Sequence, residues 1–353
     1  MLSALQKLLL LLKKCCSLYE VSKPVNNTPL ISVVVPAYNL AAYLPRCLDS
    51  ICSQTWRNIE IIVIDDGSTD DTYTIMKAAA AKDDRIQICH QANAGVTAAR
   101  TAGIRIATGD YIGFVDGDDE IEPDMYERLI NNALKYHADI SHCGYQMCFT
   151  DGRINYFHNT NQLLQHSRQV AVTALLSGDM IEPGICNKLY RADLVKQVVA
   201  IMPDDIKINE DLLMNYYLFL RSEKSVFEDI CPYHYIVRSG SATRQTLNQH
   251  RIYDPIKVKQ LIIQSAPDWF EKKARAAYLT TCINVYNAII TSGSNAFASD
   301  RRSVRSTIRN ARQWGCLISK KQQLLMNLIL YAPAFYPFIY KIYSRFFRHN
   351  PYV

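Results

Sequence analysis

Hydrophobic residues in the first third of the chain form short continuous runs, separated by longer stretches with helical spacing. The runs are Ile31–Val35, Ile59–Ile64, Ile86–Cys89 and Tyr111–Val115. The stretches that place apolar side chains at helical spacing are residues 43–52, 68–82, 96–107 and 123–136. Runs that are apolar almost throughout are typical of strands buried on both faces. The alternation therefore predicts an α/β fold, a mostly parallel sheet with helices on both faces.

The pattern weakens after Tyr145. Residues 150–200 read as a mixture of loops and short helices, residues 209–220 as a helix, and Ser225–Val237 as strand. From Leu247 onward helical spacing dominates. We therefore predict an amphipathic N-terminal segment (1–28), a sheet-containing domain (29–240) and a mainly helical C-terminal region (241–353).

Polar clusters follow three of the predicted strands. Residues 36–39 read Pro-Ala-Tyr-Asn, residues 65–68 read Asp-Asp-Gly-Ser, and residues 116–119 read Asp-Gly-Asp-Asp. The carboxyl ends of parallel strands lie at one edge of a sheet, where α/β proteins bind their ligands. The three clusters should therefore converge on one site.

The residue types suit a nucleotide diphosphate and a divalent cation. Asp116 and Asp118 supply the hard oxygen ligands that Mg²⁺ and Mn²⁺ prefer, and phosphate oxygens often complete such a shell. Tyr38 offers a flat face to a base, and Asp66 can accept a hydrogen bond from a base N–H. Arg100 can pair with phosphate or hold the acidic loops in place. Each residue alone has an ordinary structural explanation, and the convergence carries the prediction.

The segments ISVVVPAYNL (31–40) and NAGVTAARTAGIRIATGDYIGFVDGDD (93–119) closely resemble family 2 inverting glycosyltransferases with a GT-A fold. The resemblance extends over residues 31–125 and implies a nucleotide-sugar donor, with Mn²⁺ or Mg²⁺ on Asp118 and with Asp116 beside the ribose. It implies that Asp66 contacts uracil when the donor is UDP-linked. The implied donor site comprises Pro36, Tyr38, Asn39, Asp66, Arg100, Asp116, Gly117, Asp118 and Arg238.

The catalytic base is expected in the second half of the chain. Inversion requires one base to take the proton from the attacking acceptor hydroxyl. Relatives often carry it in a Glu-Asp pair about ninety residues after the Asp-x-Asp motif, and Glu210-Asp211 stands at that place. We favour Asp211, with Glu210 as the competing choice. The structural alternative is that both acids only complement a helix N-terminus.

Further segments resemble parts of these enzymes. Residues 186–191 resemble an acceptor-side segment, although many relatives have Trp where Cys186 stands. The segment from Tyr235 to Ser241 resembles a loop that covers the diphosphate and contains Arg238. The Gln-x-x-Arg-Trp signature of processive relatives is absent, since residues 312–314 read Arg-Gln-Trp, which predicts the addition of a single sugar.

Composition narrows the location. The 353 residues include eleven Cys without a CxxC pair, which argues against a disulfide framework or a zinc site and favours a reducing cytoplasm. The leucine run Leu8–Leu12 is too short for a signal peptide. The hydrophobic fraction of 49% and the charged fraction of 20% are ordinary for a globular protein.

Charge is concentrated at the two ends. Residues 301–353 contain ten Lys or Arg and no acid, and residues 1–28 contain four Lys and one Glu, whereas the whole chain has a net charge of only +6. Residues 322–348 combine this charge with dense Leu, Phe and Tyr, which suits an interfacial segment on an anionic membrane. Packing on the core is the alternative, and nucleic acid would leave the apolar density unexplained. A lipid-linked glycan acceptor and a peripheral position on the inner face of the membrane follow as expectations.

Two rival functions remain. A nucleotidyltransferase would use a glycine-rich basic loop after the first strand, and residues 36–39 do not provide one. A non-catalytic module could retain the fold to bind a nucleotide sugar or a glycan, although the presence of Asp118 and Asp211 favours an enzyme.

Overall fold

A computed structural model describes residues 28–178, 180–238 and 246–347, with side chains up to Ile342. Its described part contains one ten-stranded sheet. The strands are β1 Ile31–Ala37, β2 Ile59–Asp65, β3 Ile86–His90, β4 Tyr111–Phe114, β5 Glu120–Ile121, β6 Ile140–Phe149, β7 Ile154–Tyr156, β8 Leu163–Ser167, β9 Lys188–Arg191 and β10 Lys224–Val237.

The strand order confirms the α/β prediction. The main path is β3-β2-β1-β4-β9-β6-β10-β5, with β7 beside β6 and β8 beside β10. Strands β1 to β4 are mutually parallel, β9 lies antiparallel between β4 and β6, and β10 runs parallel to β6. Strands β1 to β4, β6 and β10 therefore share one direction, and the sheet is mostly parallel.

Helices cover the sheet and make up most of the C-terminal region. They are α1 Leu44–Cys52, α2 Thr72–Ala80, α3 Val96–Ile106, α4 Met125–Tyr136, α5 Arg168–Ser177, α6 Ala192–Val199, α7 Glu210–Arg221, α8 Gln249–Ser265, α9 Asp268–Ser292, α10 Ala298–Arg312, α11 Lys320–Tyr331 and α12 Tyr336–Phe347. The helix predicted over 68–82 is shorter because the Ser68 hydroxyl instead accepts the N–H of Asn39 at 3.0 Å. The Asp70 carboxylate accepts the N–H of Thr72 at 3.0 Å.

The packing of α3 on β1 fixes one edge of the site. A Cβ at Gly103 would overlap the Val34 side chain, so the absence of a side chain lets α3 approach the strand closely. Arg100 lies three residues earlier, on the same helical face. This close packing of α3 on β1 places Arg100 near the carboxyl ends of the strands.

The C-terminal helices join the sheet domain through shared apolar contacts. Val258 and Ile262 of α8 and Phe270 of α9 belong to the main hydrophobic core. A second apolar cluster unites α8 to α12 around buried residues such as Ile283 and Tyr336. The proposed boundary at 240/241 and the N-terminal segment up to residue 27 lie outside the described residues, so the three-part division stays a prediction.

None of the helices that the structure describes is long and apolar enough to cross a membrane.

Candidate active site

The first two strand-end loops are joined by hydrogen bonds. Asn39 adopts a left-handed conformation (φ 52°), which Asn tolerates better than most residues. Its side-chain oxygen accepts the N–H of Thr69 at 2.8 Å, and its own N–H donates to Ser68. Tyr38 beside it is 47% exposed, so a ligand can reach this side chain.

Asp66 lies beneath this edge and is only 3% exposed. Its carboxylate accepts the N–H groups of Ala94 and Gly95 at 2.9 and 2.8 Å and the Gln91 side-chain amide at 2.7 Å. A carboxylate has about four acceptor positions, so about one remains for a base N–H. Asp66 therefore shapes the loop that leads into α3, and its contact with uracil stays a prediction.

The third loop packs closely against the first. A Cβ at Gly117 would come within 2.9 Å of a Leu40 methyl and 3.0 Å of the carbonyl oxygen of Pro36. Pro36 itself is buried in β1. Glycine therefore brings Asp116 and Asp118 next to the end of β1, as the sequence pattern indicates.

Arg100 connects the Asp-x-Asp motif with the Glu-Asp pair. Its guanidinium donates to Asp116 at 2.8 Å and to Asp211 at 2.8 Å, and it lies 3.7 Å from Glu210. The Arg100 side chain is only 8% exposed. One buried cation therefore holds together acids from the end of β4 and the start of α7, which are far apart in sequence.

Asp118 and Asp119 have different surroundings. The Asp118 carboxylate accepts from Arg238 Nε at 2.6 Å, and the same guanidinium lies 5.0 Å from the Tyr43 ring centroid. Asp119 is buried, where it accepts from the Tyr233 hydroxyl at 2.6 Å and from the N–H of Ile236 at 2.9 Å. Asp119 thus fixes the end of β10, two residues before Arg238. The residues after Arg238 in the predicted loop, Ser239–Ser241, lie outside the described part.

Burial and neighbouring acids raise the pKa of both carboxyls. For Asp118 the largest cause is burial, followed by repulsion from Asp116, while Arg238 opposes the shift. For Asp119 burial, and then repulsion from Asp116 and Asp118, raises the pKa well above its usual range. A cation at Asp118 would relieve this repulsion, because it would favour the ionised form.

Glu210 and Asp211 occupy the first turn of α7, which follows Asn209 in a left-handed conformation (φ 66°). Burial, and then repulsion from Asp211, raises the pKa of Glu210 to about 8. Burial also raises the pKa of Asp211, and Arg100 opposes that shift. Arg100 donates to Asp211 at 2.8 Å and lies 3.7 Å from Glu210, so the guanidinium favours the ionised form of Asp211 more directly than that of Glu210.

Residues 186–191, which resemble an acceptor-side segment, form a buried polar network that also includes Asn215, a residue not identified from the sequence. Lys188 is fully buried, and its ammonium donates to the carbonyl oxygen of Gly184 at 2.6 Å and to the Asn187 side chain at 2.7 Å. Asn215, one turn after Asp211, accepts from Tyr190 at 2.7 Å. An asparagine within an apolar helical pattern was the available signal for Asn215. The Asn215 amide also donates to the carbonyl oxygen of Pro183 at 2.6 Å, so Asn215 ties both ends of residues 183–190 to the helix that carries the Glu-Asp pair.

The metal prediction rests on two carboxylates alone. Among the residues that the structure describes, no group of three or more His, Cys, Asp or Glu is placed to hold a metal ion. Asp116 and Asp118 fit Mg²⁺ or Mn²⁺ as a partial shell of hard oxygen donors, which a bound diphosphate would complete. Metal binding at these two carboxylates and the identity of the metal both stay predictions.

Comparisons with known proteins show which proteins this chain is similar to. The model of the family described as "Glycosyl transferase family 2" matches residues 32–199. The uncharacterized glycosyltransferase YibD of Escherichia coli is 31% identical over 252 residues, covering 67% of this chain and 71% of YibD. Glycosyltransferase GlyA of Streptococcus pneumoniae is 36% identical over 228 residues, covering 61% of this chain and only 31% of GlyA.

A solved structure shares the fold over almost the whole chain. The crystal structure of residues 1–349 of S. aureus TarS in complex with UDP-GlcNAc aligns with a TM-score of 0.72 and 19% sequence identity. The alignment covers 91% of this chain and 94% of that one. At this identity the likeness shows the fold alone.

Proposed function

Because the chain belongs to glycosyl transferase family 2 and has the GT-A fold, as its sequence predicted, we propose that it is an inverting transferase. It moves one sugar from a nucleotide-diphosphate donor to an acceptor hydroxyl. We take the donor to be UDP-linked, which the UDP-GlcNAc complex of TarS supports.

The observation that carries this proposal is the bridge made by Arg100. The guanidinium lies 2.8 Å from both Asp116 and Asp211. With Asp116 on the donor side and Asp211 as the base, this bridge would hold the base in a fixed relation to a bound diphosphate, as an in-line displacement requires.

The chemistry then follows from the geometry. Asp211 accepts the proton of the acceptor hydroxyl while that oxygen forms a bond to the anomeric carbon. The bond from the anomeric carbon to the phosphate oxygen breaks, and the nucleotide diphosphate leaves with the electron pair from the opposite face, which inverts the configuration. Asp118 and Asp116 would hold a divalent cation, which when bound would neutralise the charge on the leaving group. Arg238, which donates to Asp118 at 2.6 Å, would provide a second positive charge next to a bound diphosphate.

The proposed acceptor is a lipid-linked glycan of surface polysaccharide synthesis, used at the inner face of the cell membrane. The basic C-terminal region supports this position, because residues 301–353 contain ten Lys or Arg and no Asp or Glu and would be attracted to anionic lipid. The absence of the processive signature supports addition of a single sugar.

Thermal shift of the purified protein tests the donor site. We expect one of UDP, GDP, CDP and ADP to raise the melting temperature by about 2 °C or more at a hundredfold excess over its Kd, but only with Mn²⁺. Asp118→Ala should abolish the shift, because the cation loses its ligand. Asp84→Ala, which removes an exposed carboxylate elsewhere, should retain it. A folded wild-type protein that responds to no nucleotide would favour a glycan-binding module instead.

A further inference from the structure

Helix α12 presents two different apolar faces. Tyr336 is fully buried and Tyr340 packs partly against the second apolar cluster. On the other side Phe338 is 71% exposed and Ile342 44% exposed. The packing alternative therefore accounts for the face of Tyr336, whereas Phe338 and Ile342 are exposed among the residues whose side chains the structure describes.

The outward residues form a continuous stripe. They are Phe335, Phe338, Ile339 and Ile342, which stand at positions i, i+3, i+4 and i+7 and are 70%, 71%, 42% and 44% exposed. Phe335 directly precedes α12, and its carbonyl oxygen accepts the N–H of Ile339 at 3.1 Å, so helical spacing places all four on one side. Exposed aromatic and branched side chains in such a stripe indicate an interaction surface rather than scattered surface apolar residues.

A basic crevice borders the stripe. Arg301 in the first turn of α10 and Lys341 of α12 line a surface pocket together with Pro337. Each residue of a helix turns by roughly 100°, so Pro337 and Lys341 lie between the buried face and the outward stripe. The neighbouring acid, Asp300, is buried and accepts from the Tyr253 hydroxyl at 2.8 Å, so its charge is directed away from the solvent-exposed surface.

The positive charge around the stripe distinguishes between three possible binding partners. The N-terminal segment, residues 1–27, carries four Lys and one Glu, and a second copy would bring another acid-free segment with ten basic residues. Both would meet a like charge. An anionic lipid surface complements the charge and can bury the stripe.

We propose that α12 docks on an anionic phospholipid surface. The stripe enters the boundary between headgroups and acyl chains, and a headgroup phosphate lies in the crevice between Arg301 and Lys341. This inference rests on the membrane location given with the proposed function, and it does not depend on the sugar chemistry. The proposed membrane contact uses only one side of α12. The rest of the protein surface would then be free to receive the acceptor while the enzyme stays bound.

Flotation of the full-length protein with vesicles tests the proposal. We expect binding to phosphatidylcholine vesicles that contain phosphatidylglycerol, and much less to phosphatidylcholine alone. The double variant Phe338→Ser with Ile342→Ser should lower the vesicle affinity about tenfold or more, because it removes two apolar side chains that would be buried in the lipid. Arg301→Gln with Lys341→Gln should remove most of the preference for the anionic lipid. Val170→Ser, a change at an exposed apolar residue of α5, should bind as the wild type does.

Other results would overturn the proposal. Wild-type protein that stays unbound, or a double Ser variant that floats equally well, would exclude lipid insertion by α12. A wild-type dimer in light scattering that becomes a monomer in the Ser variant would assign the stripe to a second copy. Stabilisation by inorganic phosphate without vesicle binding would leave only a phosphate site. Nucleotide-dependent thermal shifts are measured without vesicles, so they report on the donor site separately.

Discussion

Asp211→Asn should lower kcat by about 10²–10⁴-fold, the range that a positioned general base contributes. The amide retains the shape and can still accept from Arg100, whose guanidinium lies 2.8 Å from the carboxylate. It cannot take the acceptor proton. Affinity for the donor nucleotide should therefore stay within a few-fold of wild type, so the loss appears in kcat.

Glu210→Gln provides the matched control. The pKa of Glu210 is raised to about 8, so at pH 7 this carboxyl is mostly protonated and glutamine resembles its native state. Activity at pH 7 should stay within a few-fold of wild type. Above pH 8 wild-type Glu210 becomes charged, and the two proteins should diverge. A loss in Glu210→Gln as large as that in Asp211→Asn at pH 7 would make Glu210 the base.

Arg100→Met should lower the free energy of unfolding by about 3 kcal/mol at pH 7, the lower end of the range for removing one partner from a buried ion pair. The side chain is 8% exposed and neutralises Asp116 and Asp211. Without it two acids remain beside each other with no cation between them. Denaturant unfolding measures the loss, and turnover should fall as well because the base is no longer positioned.

The pH dependence of this loss has a definite sign. Arg100 lowers the pKa of Asp211, so the variant has a higher folded-state pKa. A carboxyl whose pKa is raised in the folded state destabilises the fold once it ionises. This penalty disappears at low pH, where the carboxyl is protonated in both the folded and the unfolded state, so the stability deficit of the variant should shrink on acidification. Arg46→Met removes an exposed ion pair with Glu120 and should cost no more than about 1 kcal/mol. An Arg100→Met protein as stable as wild type at pH 7 would contradict the bridge.

The strand-end clusters could be predicted from sequence because each follows an uninterrupted apolar run. Parallel strands bring their carboxyl ends together, so residues 36–39, 65–68 and 116–119 had only one edge on which to meet. The alternation likewise predicted β1 to β4. The helix that carries Asp211 was visible from its apolar spacing and acidic first turn.

Long-range contacts and short strands could not be predicted in the same way. Strand β9 has four residues, and it is a strand because β4 and β6 pair with it on both sides. The contact of Arg100 with Asp211 joins positions 111 residues apart, which periodicity does not reveal. In α12 the sequence showed the apolar density, but only packing distinguishes the face of Tyr336 from that of Phe338.

The most direct test of the central claim is nucleotide release from a panel of UDP-sugars, with Mn²⁺ and a lipid extract as the acceptor source. Wild-type protein should release UDP from one donor, and both Asp211→Asn and removal of the divalent cation should suppress the release. A wild-type protein that binds the nucleotide with Mn²⁺, yet releases no more UDP than Asp211→Asn from any donor, would contradict the account and identify a binding module.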